Sequence, residues 1–466
     1  MKSIKTILLK IEQHQYFIAL RNYIKKLYDS TIETNSKLKI QFLQFFPFII
    51  ASFLIGIIAY AYSVLFNYAT KLSFSIYDKN PLLIFIITPI AFLISWWLVQ
   101  QFAPYAKGSG IPQVMTTLEL TSHSKQNKIS YLLSAKIALI KIISSVIKVI
   151  GGGVIGREGP TIHIASAISN LVYKLLPKWW IHINQKNMII AGAASGLSAA
   201  FNTPLGGIIF AIEELSKYHM KYYKSTLFIA VIIAGLTAQG LGGPYLYLGY
   251  PKTAFDNYMV YIGILIVAIL SGFFGAKVCD ALLSFIKYFN SNKENWRKIL
   301  LIIVSSLIVA TMIYFYGTNA MGSGKEYMEK ALFDSNKTIP WQLPFIRMAG
   351  MIASFGSGGA GGVFAPSLSC GASIGAIVAD WLQLTHGNAN LIILVGMVGF
   401  LTAVTRAPFT AAIIVFEMTD RHSIIFFLLL GAMIANFIAY LNNKHSFYHT
   451  LYVQYLRDVE SKAKKQ

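Results

Sequence analysis

Acidic side chains are scarce in this chain. Only 19 of its 466 residues are Asp or Glu, against 40 Lys or Arg, and charged residues of both signs make up 13%. A soluble domain carries nearer a quarter, so an ordinary water-soluble class is excluded. Cysteine is almost missing too. Cys279 and Cys370 lie far apart in sequence, which supports neither a disulfide framework nor a metal-ligand set. HExxH is absent, and with it one common signature of metal-dependent hydrolases. With no soluble domain to carry a phosphate-tracking surface, the net charge of +21 does not point to nucleic acid.

What is abundant is apolar sequence, 55% of the chain, gathered in long runs. FPFIIASFLIGIIAYAYSVLF (46–66), LLIFIITPIAFLISWWLV (82–99) and YMVYIGILIVAILSGFF (258–274) are the clearest. Others lie near 225–240, 299–315, 390–402 and 423–441. Runs of about 18 apolar residues read as transmembrane helices. The expected class is an all-α polytopic membrane protein.

Orientation follows from the basic ends. Lys2, Lys5, Lys10, Arg21, Lys25, Lys26, Lys37 and Lys39 precede the first run, and Lys444, Arg457, Lys462, Lys464 and Lys465 follow the last. The positive-inside rule puts both ends in the cytoplasm, with an even number of full crossings. The first run starts too late, after too much Lys-rich sequence, for a cleaved signal peptide. The organisation expected is a cytoplasmic segment 1–44, a membrane domain 45–456 and a short basic tail 457–466. Little sequence follows the last run, so no appended regulatory domain is expected.

The chain also repeats itself. GREGP (156–160) and GVFAP (362–366) each follow a glycine cluster, and their prolines are 206 residues apart. GAASGLSAAFNTPLGGIIFAIEE (192–214) resembles GMVGFLTAVTRAPFTAAIIVFEM (396–418) at a spacing of 204. Gly192, Leu197, Ala199, Pro204, Ile209 and Glu213 match Gly396, Leu401, Ala403, Pro408, Ile413 and Glu417. Two near-equal offsets in the same order indicate homologous halves of about 45–250 and 255–450. Whether they are parallel or inverted is not legible from these matches.

Three glycine-rich breaks interrupt apolar sequence: KGSGIPQ (107–113), GREGP, and GSGGAGGVFAPSL (356–368). Each runs glycines, proline, then a helical pattern, the order of a helix N-terminus. Irregular backbone at membrane depth is tolerated only where protein covers it or it lines a cavity. Converging helix N-termini would hold an anion by N–H groups and dipoles alone. Binding without a full charge is weak enough to permit release.

These motifs, GSGIP (108–112), GREGP (156–160), GGVFAP (361–366), AAFNTPLGGIIFAIEE (199–214) and RAPFT (406–410), resemble the CLC family of chloride channels and chloride/proton exchangers. The resemblance runs from about residue 45 to 456. It implies the CLC fold: two inverted-repeat halves of tilted and broken helices, roughly eighteen per subunit. It further implies a homodimer with one anion path per subunit, an inner (plasma) membrane location in a bacterial-type relative, chloride and protons as the transported species, and no cofactor.

By motif position the resemblance implies an anion site at the Ser109 hydroxyl, the backbone of Gly159, the N–H groups of Val363 and Phe364, and the Tyr448 hydroxyl in KHSFY (444–448). A plain helix cap is the bland alternative for Ser109. Interfacial packing is the alternative for Tyr448 and its neighbours Tyr452 and Tyr455.

Glu158 matches the gating glutamate. A carboxylate in a dehydrated site is costly, but here its own charge can occupy the anion site, and protonation would release it. Arg157 is assigned a structural role, because a permanent charge in the path would hold anions too tightly. Glu214 matches the internal proton-transfer glutamate of exchangers, and its repeat partner is Met418. Glu213, whose partner Glu417 is also acidic, is read as solvated at a helix end.

The sequence departs from relatives after GSGIP, where Gln113 and Met115 lack charge and Glu119 remains. Lys141, Lys148 and His163 sit in or near membrane segments, and both pairing with acids such as Glu119 or Glu213 and snorkelling to the surface are open to them. The expected function is secondary active chloride/proton antiport. A passive voltage- or pH-gated chloride channel of the same fold is the runner-up, and an intramembrane enzyme using the buried carboxylates is the remote alternative.

Overall fold

The computed structural model describes residues 22, 25–26, 37–122, 128–215, 224–243, 246–334, 339–419 and 422–463. Lys2, Lys5, Lys10, Arg21, Lys464 and Lys465, part of the basic ends that set the expected orientation, lie outside these residues. All seven apolar runs fall in helices long and apolar enough to cross a membrane.

The first half contains α1 (Lys37–Lys79), α2 (Ile84–Phe102), α3 (Ile111–Ser122), α4 (Ala135–Ile150), α5 (Glu158–Leu175), α6 (Gln185–Phe201), α7 (Pro204–Phe210) and α8 (Lys224–Gly242). The second contains α9 (Met259–Ser291), α10 (Asn295–Tyr316), α11 (Lys325–Phe333), α12 (Leu343–Gly356), α13 (Phe364–Trp381), α14 (His386–Thr405), α15 (Pro408–Thr419), α16 (Ile425–Asn442) and α17 (Phe447–Ala463). A short turn of helix, Ile129–Leu132, precedes α4. With 43 residues in α1 and 33 in α9, both exceed the roughly 20 that cross a hydrocarbon core upright, so they run tilted or project. Helix α1 begins before residue 45 and α17 runs past 456, so the expected domain limits fall inside helices.

The halves repeat in space as in sequence. Helix α5 packs along α6, and α13 along α14. Both α6 and α14 end on a residue in the left-handed region, Asn202 (φ 56°) and Arg406 (φ 61°). A proline two residues later opens the next helix, Pro204 in α7 and Pro408 in α15, where a missing N–H costs nothing. Ala, Gly and Ser are prominent in α6 and α13, and small residues let helix backbones approach closely. These helices form the centre, while α1, α2, α10 and α16 turn large apolar side chains outward.

One expectation needs correcting. Glu213 is not a solvated helix-end acid: its carboxylate accepts from the N–H groups of Phe409 (3.2 Å) and Thr410 (2.7 Å) and from the Thr410 hydroxyl (2.7 Å), capping α15. Glu417 does the same for α7, accepting from Leu205 N–H (2.9 Å) and Gly206 N–H (2.6 Å). Each half thus caps a helix of the other half. Four N–H groups at a helix start have no intrahelical partner, and Thr203, the N-cap of α7, makes no side-chain cap bond. A carboxylate from the repeat-related helix satisfies them.

Glu417→Ala should therefore lower stability by about 1–2 kcal/mol, the usual worth of a helix cap, and lower the melting temperature of the detergent-solubilised protein. Glu417→Gln should fall between Ala and native. Equal melting of all three would remove the cap role.

Candidate anion-binding site

The three glycine-rich breaks meet. Gly156 and Gly362 exchange both backbone hydrogen bonds, 2.8 and 2.7 Å, in an antiparallel bridge. Residues 108 and 360 form a parallel bridge, with Gly108 N–H donating to Gly359 O at 2.9 Å and Gly361 N–H to Gly108 O at 3.2 Å. No strand is needed: a few peptide bonds stitch the breaks together and leave the helix starts of α3, α5 and α13 side by side. The Gly156–Gly362 exchange joins repeat-equivalent positions and is reciprocal, as a two-fold relation between the halves requires.

Glu158 opens α5 and is fully buried. Neither carboxylate oxygen completes a hydrogen bond. The backbone N–H groups of Glu158 itself, Ala365 and Arg157 lie close by, so the carboxylate occupies the meeting point of the α5 and α13 N-termini, where the dipoles favour negative charge. Gly156 makes this possible, since a Cβ there would come within 2.2 Å of Glu158 Oε2. Arg157 points elsewhere. Its guanidinium donates to the Ser63 hydroxyl of α1, the structural role expected of it.

Ser109 is buried and its hydroxyl is unpartnered, so it does not cap α3. It lies beside the Tyr448 hydroxyl, which is likewise buried and unpartnered. Buried hydroxyls without partners are rare and call for an explanation; two side by side at helix N-termini fit a small anion. Gly159 is pressed against Ser109, and a Cβ on it would sit 2.0 Å from the Ser109 Oγ. Val363 is the N-cap and Phe364 the first residue of α13, where the N–H groups have no intrahelical acceptor. The Phe364 ring stacks on Tyr448 at 6.2 Å and 23°, so the side chain fixes the tyrosine while the backbone faces the site.

Tyr448 itself sits in the first turn of α17. Tyr455, about two turns further, is tied into another network, where its hydroxyl accepts from Gln113 Nε2 at 3.3 Å. Gln113, noted as a departure, also donates to the carbonyls of Tyr105 (3.1 Å) and Lys107 (2.8 Å). A neutral amide can donate there, whereas an ionised acid cannot.

Glu214 lies in a π-helical turn, Ala211–Leu215, that follows α7. Such wide turns recur at functional sites. It is buried and acts electrostatically on Tyr448. Glu158, Ser109 and Tyr448 are thus brought together from three distant parts of the chain, with Glu214 within electrostatic range of Tyr448.

The three basic residues left open are resolved as core residues, and pairing with Glu119 or Glu213, like snorkelling, is excluded. Lys141 is fully buried and donates to Gly108 O at 2.9 Å. Lys148 is fully buried and donates to Ser357 Oγ at 2.8 Å. His163 Nε2 contacts Leu132 O at 2.9 Å. All three serve backbone or hydroxyl partners next to the breaks.

The sequence reading missed two features. Arg347, fully buried, donates to the carbonyls of Asn319, Met321 and Gly322 and to the Ser369 hydroxyl, pinning the turn at 317–322 beneath α13. The only signal was a lone Arg in an apolar stretch. The second is a pair of adjoining cavities beside Ser109. A cavity of about 40 Å³ lined by Lys107, Gly108, Ser109, Pro112 and Phe355 adjoins a wider one of about 330 Å³ lined by Lys107, Asn290, Gln454, Tyr455 and Asp458. It reaches Ser109 from the side of α17.

Residues 91–440 match the family described as voltage gated chloride channel. The chain belongs to this CLC family. It is 27% identical over 400 residues to the H(+)/Cl(-) exchange transporter ClcA of Citrobacter koseri, covering 82% of this chain and 81% of that protein. It is 28% identical over 407 residues to the same-named protein of Salmonella arizonae, covering 82% of each. Among solved structures, a slow cyanobacterial Cl-/H+ antiporter superposes with a TM-score of 0.73 at 21% identity, covering 89% of this chain and 98% of that one. A CLC-type fluoride/proton antiporter gives 0.73 at 18% identity with the same coverage. The fold is therefore the CLC fold, in a multi-pass membrane protein, and the relatives are named as transporters rather than enzymes.

Gly159→Ala should abolish chloride binding measured by calorimetry, because its Cβ would displace the Ser109 hydroxyl. Gly240→Ala, which meets nothing within 4 Å, should leave binding unchanged. Equal affinities in both variants would place the anion elsewhere.

Proposed function

We propose that the protein is a chloride/proton antiporter, with Glu158 as gate and outer proton carrier and Glu214 as the internal proton-transfer site. The observation that carries this reading is the Glu158 carboxylate lying among helix N-terminal N–H groups with neither oxygen satisfied. A carboxylate so placed competes with an anion for the same positive potential. Protonated, it loses that attraction, swings away and admits chloride. Deprotonated, it returns and excludes it. Each cycle thereby couples one protonation state to one occupancy state.

Chloride is held between Ser109 Oγ, Tyr448 OH and the N–H groups of Val363 and Phe364, with Gly159 leaving the necessary room, and reaches the inner side past Lys107. Protons share the outer path at Glu158 and diverge inward to Glu214. A second carboxylate apart from the gate is what an exchanger needs and a passive channel does not, since a channel requires only the gate. Ser109 together with Tyr448 and an intact GREGP favours chloride over fluoride as the anion.

The protein acts as a homodimer with one path per subunit, in the inner membrane of the cell, with segment 1–44 and tail 457–466 flanking the membrane domain 45–456 on the cytoplasmic side. The basic ends support that orientation.

The test is proton uptake by chloride-loaded proteoliposomes under an outward chloride gradient. Native protein should drive protons uphill. Glu158→Ala and Glu214→Ala should each abolish proton movement while chloride still flows. Chloride flux from native protein with no proton movement would make it a channel and leave Glu214 without a transport role.

A further inference from the structure

Helix α4 carries Lys141, Ser144 and Lys148 at spacings of three and four, one stripe on a helix face. All three are fully buried, and each holds a glycine-rich break from behind. Lys141 donates to Gly108 O. Ser144 Oγ accepts from Ala360 N–H at 3.1 Å. Lys148 donates to Ser357 Oγ, which in turn donates to Ser354 O at 2.8 Å.

Lys148 is the unexpected member. Its ammonium lies 5.0 Å over the Phe92 ring of α2, a favourable face for a cation. A Cβ on Gly359 would sit 3.0 Å from its Nζ, and Gly359 O is the acceptor for Gly108 N–H. One peptide pairing therefore separates Lys148 from the residue preceding Ser109.

Buried charge demands a counter-charge. Among the described residues neither lysine has a carboxylate hydrogen-bonded to it, and the buried carboxylates are Glu158 and Glu214, both already assigned to transport. The α4 lysines instead direct their hydrogen bonds to a carbonyl and a hydroxyl at the breaks that frame the site.

We propose that Lys148 is a positioning residue for the transported anion, whose ammonium, anchored on Ser357 behind the third break, adds a second buried positive charge to that of Lys141, so that chloride is held more tightly and released more slowly. This rests on the anion site proposed above. A unit charge acting through protein over more than one residue shell changes affinity by about three- to tenfold, and tighter holding slows exit.

The experiment is chloride calorimetry on the purified full chain at fixed pH, together with chloride efflux from proteoliposomes, for native protein, Lys148→Met, Lys148→Arg and Ser357→Ala. Lys148→Met should weaken chloride binding about three- to tenfold and leave efflux as fast as native or faster. Lys148→Arg and Ser357→Ala, which keep the charge, should stay within about twofold of native, well inside that single-charge effect. Damage to the loop would instead lower affinity and efflux together.

The proposal is overturned if Lys148→Met binds chloride within about twofold of native, below what a lost unit charge would produce. It is equally overturned if Ser357→Ala weakens binding as much as Lys148→Met. Should Lys148→Met not fold, Lys148→Arg decides, and a loss of about threefold or more, the lower edge of a single-charge effect, rejects the charge role. Absence of chloride binding in native protein would reject the site itself, a result distinct from native-like binding in the variants.

Discussion

Everything at the centre of this protein depends on a handful of backbone hydrogen bonds between glycine-rich breaks. Gly156 and Gly362 exchange two, and Gly108 is joined to Gly359 and Gly361 by two more. Helices cannot bring their N-termini together by side-chain packing alone, because their unsatisfied N–H groups repel one another and need an acceptor. The breaks supply close backbone contact. In the arrangement seen here the carboxylate of Glu158 lies among those N–H groups without completing a hydrogen bond to any of them. The strain of gathering positive helix ends is what makes the place attractive to an anion.

Around that junction the two halves support each other by exchange. Glu213 caps α15 and Glu417 caps α7, so the same residue in each repeat holds a helix of the opposite half. Glu214, next in sequence, is relieved of that duty. Its repeat counterpart is Met418, which is buried in the apolar core. One position of the symmetric pair thus differs between the halves, acidic in one and apolar in the other, while its neighbour keeps the structure.

Buried basic residues follow the same economy of position. Arg157 reaches away to Ser63, Arg347 gathers the carbonyls of the 319–322 turn, and Lys141 and Lys148 brace the breaks from behind. None lines the site directly. Positive charge is kept one layer back, where it can favour an anion through intervening peptide without binding it by direct contact.

The apolar runs, the repeat and the three breaks were legible in the sequence because each is a local pattern: continuous hydropathy, matched spacing, or glycine followed by proline. Those patterns were enough for the helical membrane class, and the motifs at the breaks for a resemblance to the family, which is what singled out Glu158, Ser109 and Tyr448 as residues of interest. They could not say that Glu213 and Glu417 are reciprocal caps, because that requires residues about two hundred positions apart to meet. Nor could they place Lys141 and Lys148, whose partners are a carbonyl and a hydroxyl on other segments. A lysine in an apolar run has several ways to satisfy its charge, and the choice among them is made by which backbone oxygen the packed helices bring within reach. Sequence alone determined which helices form and where they break. Tertiary structure decided what each break, acid and buried cation faces, since that depends on contacts between chain segments that carry no local signal of one another.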